Sequence, residues 1–120
     1  MKENVVQKKS YEYALRIVKL YKSLIVEKKE HILSKQILRC GTAIGANVEE
    51  AIGGQSLKDF FAKLSIAYKE ARETHYWLRI LRDSEYLKTE VASSLLEDCE
   101  ELLKIIGSIQ KTIRHGSFNS

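Results

Sequence analysis

The chain has no proline, and its glycines number only six. Proline removes a backbone N–H and clashes with the preceding helical turn, so its absence leaves long stretches without a helix breaker. The sequence also lacks any apolar run near the ~20 residues that a membrane-spanning helix needs. The composition therefore predicts a helical protein and gives no reason to expect a membrane partner.

Cysteine is scarce as well, and Cys40 and Cys99 fall on different predicted helices. Both lie at apolar positions, where a free thiol behaves as a small hydrophobic side chain. Core filling is therefore favoured over metal binding. Residues 1–10 are polar and contain lysines, unlike the apolar segment of a secretion signal. We expect a cytoplasmic protein.

The length suits one domain with a single hydrophobic core. A domain of this size buries roughly two thirds of the surface that its unfolded chain exposes, which is enough to fold without disulfides or metal. We predict a single domain over residues 1–115 and a disordered tail over residues 116–120.

Apolar residues recur at three- and four-residue spacing in four segments, the period of amphipathic helices. The first helix is predicted to begin at Tyr11 with Ser10 as its N-cap, and the second begins near Ile32. The third is predicted over 57–83, and Thr89 is predicted to cap the fourth. Short connections make successive helices antiparallel neighbours. The expected fold is all-α, an antiparallel up-and-down four-helix bundle.

Four glycines belong to the second helix and its end. Gly41 and Gly45 lie inside the predicted helix, where each costs about 1 kcal/mol of helix propensity, and this cost predicts close packing against a neighbouring helix. Gly53 and Gly54 predict a C-cap in the left-handed conformation. Ser56 is then placed to cap the third helix.

The net charge of +4 is unevenly distributed. Residues 1–29 carry eight basic and three acidic side chains, whereas the rest of the chain is close to neutral. A basic helix of this kind can contact phosphate, although a solvated lysine-rich face is the alternative. The candidate phosphate-binding residues are Lys8, Lys9, Arg16, Lys19 and Lys22.

Motifs for catalysis and metal binding are missing. No Glu-x-x-His pair of a di-iron bundle occurs, and His31, His75 and His115 have no second histidine or cysteine at ligand spacing. No G-x-S-x-G or phosphate-binding glycine loop is present. We expect no cofactor, no metal, no small-molecule substrate and no enzymatic activity. A site built from Glu70, Glu73 and His75 is disfavoured, because paired carboxylates alone are weak evidence.

Several polar residues lie beside or within the apolar stripes, where an unpaired charge is expensive to bury. They are Gln36, Asn47, Glu50, Glu70 and Glu73. The available cations are Arg39, Arg72 and Arg79. We predict that Asn47 and Glu50 bond across to helix 3 or to another subunit and so set the register of the helices.

The most specific part of the sequence lies in helices 2 and 3. It comprises QILR at 36–39, GTAIGANVEEA at 41–51, KEARET at 69–74 and YWL at 76–78. These stretches resemble the bacterial four-helix bundle proteins that are named for intervening sequences of 23S ribosomal RNA genes. The resemblance covers nearly the whole chain. It assigns structural or interface roles to Gln36, Arg39, Asn47, Glu50, Ser56, Phe60, Glu70 and Glu73.

The resemblance implies a left-handed bundle that assembles into a ring, often a homopentamer, with no established catalytic activity. A weaker similarity links the chain to the accessory variability determinant of retroelements, a basic pentamer that binds nucleic acid and a reverse transcriptase. Asn47 and Glu50 match the family's Asn-Ile-Ala-Glu-Gly run, whereas Ala51 stands where that run has glycine. The net charge is also lower than in the accessory proteins.

An oligomer is expected from the residues as well. The apolar stripe of helix 1 is wider than one neighbouring helix covers, and Ile66 and Trp77 lie off the main apolar face of helix 3. We predict that helices 1 and 3 supply the two faces of a ring. The predicted function is a non-enzymatic oligomeric scaffold that binds RNA or a nucleic-acid-handling protein through the basic first helix. The alternative is a protein-directed adaptor without nucleic-acid binding.

Overall fold

The computed structural model describes residues 4–116, which form four α-helices and no strand. The helices are α1 (Val5–Val26), α2 (Leu33–Ile52), α3 (Leu57–Asp83) and α4 (Thr89–Arg114). They make an elongated molecule of 52 × 24 × 21 Å. The all-α prediction is confirmed, and the predicted bounds of α3 are those observed.

Each helix packs against two others, because α1 contacts α2 and α4, and α3 contacts the same two helices. Residues near the start of α1 lie beside the end of α2, as in the 3.0 Å hydrogen bond from Gln7 Nε2 to Glu49 Oε1. Gln110 near the end of α4 likewise donates to Ser65 near the start of α3, at 2.7 Å. Antiparallel neighbours of this kind form the predicted four-helix bundle. The left-handedness of the bundle stays a prediction.

The core runs along the middle of the bundle and consists of aliphatic side chains from all four helices. The largest fully buried members include Ile17, Ile37, Ile44, Leu64, Leu78, Leu102 and Ile106. The two cysteines also lie in this core as free thiols. Burial raises the pKa of Cys40 to about 11 and that of Cys99 to about 12. Both thiols therefore stay protonated near neutral pH and serve as core side chains, as predicted.

The start of α1 differs from the prediction. The helix begins at Val5 and is capped by Asn4, whose side chain accepts a 2.9 Å hydrogen bond from the Gln7 N–H. Ser10, the predicted cap, is buried inside the helix, and its hydroxyl donates to the Gln7 carbonyl. The prediction missed Val6 because residues 7–10 are mostly polar. Val6 is buried and extends the apolar stripe of α1 by one turn.

Two other helix ends need correction. Thr89 is the first residue of α4, and Lys88 occupies the N-cap without a side-chain hydrogen bond. Gly53 has a φ of −82°, and Gly54 is not in the left-handed region either. A Cβ on Gly54 would instead lie 3.1 Å from the Ala51 carbonyl oxygen, so close approach explains this glycine. The prediction for Ser56 is confirmed, because its hydroxyl accepts from the Asp59 N–H at 3.1 Å.

The close helix packing predicted from the glycines of α2 is confirmed. A Cβ on Gly41 would lie 2.7 Å from Ile17 Cγ1, and one on Gly45 would lie 3.1 Å from the Ser10 carbonyl oxygen. The first distance is far shorter than the ordinary van der Waals separation of carbon atoms, about 3.5–4.0 Å. The second, between a carbon and an oxygen, is also tighter than most Cβ contacts. The missing side chains therefore let α1 approach α2.

Gly116 ends the described part of the chain in a turn, with a φ of 72° and its N–H bonded to the Ile113 carbonyl. The remainder of the predicted tail, residues 117–120, lies outside the described residues. Within residues 4–116, none of the helices combines the length and apolarity that a membrane crossing requires.

Candidate nucleic-acid interface

The five basic residues predicted to contact phosphate do not form one uniform surface. Lys9 Nζ lies 3.1 Å from Glu101, and Arg16 lies 2.5 Å from Asp98 on α4. Arg16 also donates to the Ser94 hydroxyl at 3.0 Å. These two cations are therefore neutralised by the acidic helix α4.

The other three lysines of α1 are Lys8, Lys19 and Lys22, and all three are exposed. Neither Lys19 nor Lys22 forms a salt bridge within residues 4–116. Their positive charge stays available for an external anion. The sequence pattern predicted the basic helix. It did not predict that Glu101 and Asp98 of α4 pair with two of its cations.

A groove of about 480 Å³ opens beside the second half of α1. We call it the basic groove. Lys19, Lys28 and Lys88 lie on its walls, and Tyr86, Leu20 and Leu95 contribute its less polar surface. Lys28 and Lys88 come from the two connections at this end of the bundle, so neither belonged to the predicted set.

A second polar cluster joins α2 to α3. Arg39 contacts Glu70 at 3.3 Å and also Glu73, whose carboxylate accepts a 3.0 Å hydrogen bond from the Trp77 indole. Gln36 accepts from Arg39 at 3.5 Å. Burial alone would lower the pKa of Arg39, but Glu73 and Glu70 outweigh this and raise it. The expectation that Glu70 and Glu73 need a cation is met by one arginine, Arg39.

Asn47 and Glu50 were predicted to bond to helix 3 or to another subunit, and Glu50 makes the bond to helix 3. Glu50 reaches across to Lys63 on α3, with 2.7 Å between carboxylate and ammonium. Asn47 donates to the Ala43 carbonyl of its own helix at 2.8 Å, and within residues 4–116 its side chain makes no hydrogen bond to α3. A bond from Asn47 to another subunit stays a prediction. Phe60, another motif residue, is half-buried and packs against the core.

The residues of the disfavoured enzyme site are not brought together. Glu70 and Glu73 face Arg39, whereas the His75 ring lies 2.8 Å from Glu100 on α4. Within residues 4–116, no group of three or more histidine, cysteine, aspartate or glutamate side chains is placed to hold a metal ion. Glu70 and Glu73 therefore share Arg39, whereas His75 contacts a different residue, Glu100.

Sequence reasoning missed the role of Glu30 in the α1–α2 connection. Its carboxylate accepts hydrogen bonds from the N–H groups of Ile32, Leu33 and Ser34, at 3.2, 3.0 and 2.7 Å. Burial opposes the charged form, but these amides together lower the pKa of Glu30 below its ordinary value. A carboxylate thus satisfies the free amides at the start of α2, where Ile32 has no capping side chain. A glutamate three residues before the first residue of a helix is not a standard capping signal.

Apolar side chains remain exposed on the outer faces of α1 and α3. On α1, Tyr11, Leu15 and Val26 are 62%, 54% and 65% exposed. On α3, Ile66 and Tyr76 are 40% and 48% exposed. We call the first set the α1 apolar face and the second the α3 apolar face.

The packing and motif residues define the class of protein as an all-α four-helix bundle. Residues 2–108 match the family model of the 23S rRNA-intervening sequence protein, so the chain belongs to this family. The resemblance stated from the sequence is confirmed.

A solved structure from Bacteroides thetaiotaomicron shares this fold. It is described as a protein with unknown function from the S23 ribosomal protein family, and it is 54% identical to this chain. The match covers 90% of this chain and 100% of the other, with a TM-score of 0.89. No curated protein matches the chain at a significant level.

Proposed function

We propose that this protein is a non-enzymatic, ring-forming homo-oligomer of the bacterial cytoplasm that acts as a scaffold for RNA through its basic first helix. The observation that carries this proposal is the outer side of α1, which exposes apolar side chains together with Lys19 and Lys22, two lysines without a salt bridge in the described part of the chain. The two free, buried thiols suit a reducing compartment.

The oligomer is supported by the two apolar faces. Tyr11 and Leu15 are one helical turn apart, so their exposed side chains are neighbours on α1. Neighbouring exposed apolar side chains often mark protein interaction sites. The α3 apolar face lies on a different helix, and contact between two unlike faces generates a closed ring when the rotation allows it. A homopentamer is the ring size that we favour.

RNA binding is supported by charge. Lys19 and Lys22 have no salt bridge within the described residues, and the family description refers to 23S rRNA. Lysines at the surface bind the phosphate backbone by releasing its counterions, so affinity falls steeply with salt. A nucleic-acid-handling protein is the alternative partner for the basic first helix of such a scaffold.

The first experiment measures the molar mass by size-exclusion chromatography with light scattering. We expect about five times the 13.8 kDa mass of the chain, and a shift on adding RNA at low salt only. The variant Leu15→Lys places a charge on the α1 apolar face and is expected to give monomers. Ser93→Lys, on an exposed position of α4, is the matched control and keeps the ring. A wild-type monomer at micromolar concentration would reject the oligomer.

The alternative is a protein-directed adaptor that binds no nucleic acid. It is favoured by the ion pairs of Lys9 and Arg16 with α4, which reduce the positive field of α1. In this case adding RNA does not shift the ring at any salt concentration, and binding of a protein partner is insensitive to salt. The same chromatography therefore separates the two candidates.

A further inference from the structure

The basic groove is formed by more than one element of the bundle. It lies between the second half of α1, the α3–α4 connection and the first turn of α4. Its volume of about 480 Å³ falls within the usual range of ligand pockets, roughly 300–1,000 Å³. A surface groove of this size admits part of a flexible ligand.

The charge of the basic groove is positive after its internal contacts are counted. Its single acidic residue within the described chain is Glu27, which accepts a 2.5 Å hydrogen bond from the Ser23 hydroxyl. Arg16 is held by Asp98. Lys19, Lys28 and Lys88 form no salt bridge within residues 4–116. Three ammonium groups are thus available to an anionic ligand.

The floor of the groove is apolar. Leu20 and Leu95 belong to the core and are almost completely buried, and the half-buried Tyr86 adds an aromatic ring. Proteins that bind single-stranded nucleic acid combine such a basic groove with an aromatic ring on which an unpaired base stacks. A duplex keeps its bases stacked inside and offers mainly its backbone to a shape of this kind.

We infer that the basic groove binds a short segment of single-stranded RNA, with three successive phosphates on Lys19, Lys28 and Lys88 and one unpaired base against Tyr86. This inference rests on the proposed RNA-binding function and deepens it in two ways. It extends the contact from α1 to Lys28 and Lys88 of the two connections, and it predicts preference for single strands over duplex.

The test measures fluorescence anisotropy of a labelled oligouridylate and of the same strand paired with oligoadenylate. The groove variant Lys19→Gln/Lys28→Gln/Lys88→Gln is expected to lose about tenfold or more of its single-strand affinity. Its slope of log affinity against log salt is expected to fall by about 2, since each phosphate contact contributes about 0.7 for single strands.

The matched control is Lys58→Gln/Lys104→Gln/Lys111→Gln, which changes the net charge equally at exposed positions outside the groove. It is expected to retain most of the affinity and most of the slope. Tyr86→Phe keeps the aromatic ring and is expected to bind like wild type, whereas Tyr86→Leu is expected to lose about tenfold, within the range for one stacked base. Light scattering and thermal unfolding establish that each variant is folded.

The outcomes separate this inference from the proposed function. If the two lysine variants lose affinity equally, or if duplex binds as tightly as the single strand, RNA binding survives and the groove assignment fails. Displacement of oligouridylate by polyglutamate at equal charge would also overturn it in favour of an acidic peptide. If wild type binds no RNA at low salt, the RNA-binding part of the proposed function fails first.

Discussion

α1 meets its two neighbours in contrasting ways. Against α2 the backbones approach closely, because Gly41 and Gly45 present no side chain to Ile17 and Ser10. Against α4 the contact is made by polar side chains near its outer edge, as in the 2.5 Å pair of Arg16 and Asp98, and it opens into the basic groove. We call the first contact the closed seam and the second the open seam.

The difference shows how one helix combines stability with accessibility. Ser10 and Ile17 on α1 face the closed seam, where small residues on the partner exclude water. The open seam contains one buried hydrogen bond from Tyr13, whose hydroxyl donates to the Leu95 carbonyl at 2.9 Å. Burial raises the pKa of Tyr13 above its usual range, so this hydroxyl stays a donor. The basic groove lies between the second half of α1 and the start of α4.

The largest effect is expected at the closed seam. Ile17→Ala leaves a cavity in a fully buried position and should lower the free energy of unfolding by about 2–5 kcal/mol. Gly41→Ala alone should also destabilise, by roughly 1 kcal/mol, because the overpacking cost of about 1–3 kcal/mol exceeds a helix-propensity gain of about 1 kcal/mol. Urea unfolding at a fixed protein concentration measures both changes.

Combining Ile17→Ala with Gly41→Ala gives a sharper test, because the effect of Gly41→Ala on stability should change sign. In the Ile17→Ala background the Cγ atoms that crowd a Cβ at Gly41 are gone. Adding Gly41→Ala to Ile17→Ala should therefore raise stability by about 1 kcal/mol. If Gly41→Ala destabilised equally in both backgrounds, steric contact with Ile17 would not be the reason for this glycine.

A smaller and pH-dependent effect on stability is expected at Glu30, in the α1–α2 connection. Glu30→Gln weakens the acceptor of three backbone amides and should cost about 1 kcal/mol at neutral pH, a typical capping energy. The folded pKa lies below the ordinary value of 4.5, so the carboxylate stabilises above that pH. This contribution is lost as the pH falls through the folded pKa.

Thermal unfolding of wild type and Glu30→Gln between neutral pH and pH about 3 measures this difference. The two stability curves should converge at the acidic end. Glu12→Gln removes the same charge from an exposed position of α1 and serves as the control. A gap between wild type and Glu30→Gln that stayed constant with pH would contradict the capping role of the carboxylate.

The smallest effect is expected at the open seam. Arg16→Gln removes a half-exposed ion pair, and such pairs contribute only about 0–1 kcal/mol. The loss should shrink further as salt is added, because exposed charges are screened. A loss of several kcal/mol in urea unfolding, or one that is independent of salt, would show that the open seam is as strongly coupled to the core as the closed seam.

The sequence predicted the features that depend on local pattern. Apolar periodicity located all four helices, and Gly41 and Gly45 predicted the closed seam before any partner helix was known. Ser56 was recognised because its hydroxyl caps a helix only three residues away. These signals are short-range, so neighbouring residues were sufficient to read them.

Features that depend on three-dimensional neighbours were not predicted. Arg16 was counted as available, because nothing near it in sequence reveals Asp98 on α4. Lys28 and Lys88 were overlooked, because the basic groove brings together two connections that are far apart in the chain. Of the two partners predicted for Asn47, helix 3 or another subunit, helix 3 is replaced by the Ala43 carbonyl of its own helix at 2.8 Å.

The even number of antiparallel helices has a practical consequence. α1 begins and α4 ends at the same pole of the molecule, together with the α2–α3 connection. Lys28 and Lys88 lie toward the opposite pole of a body 52 Å long. A reporter joined before α1 or after α4 would therefore sit away from those lysines. Fusions at either end are equally suitable for following the protein while that pole stays unobstructed.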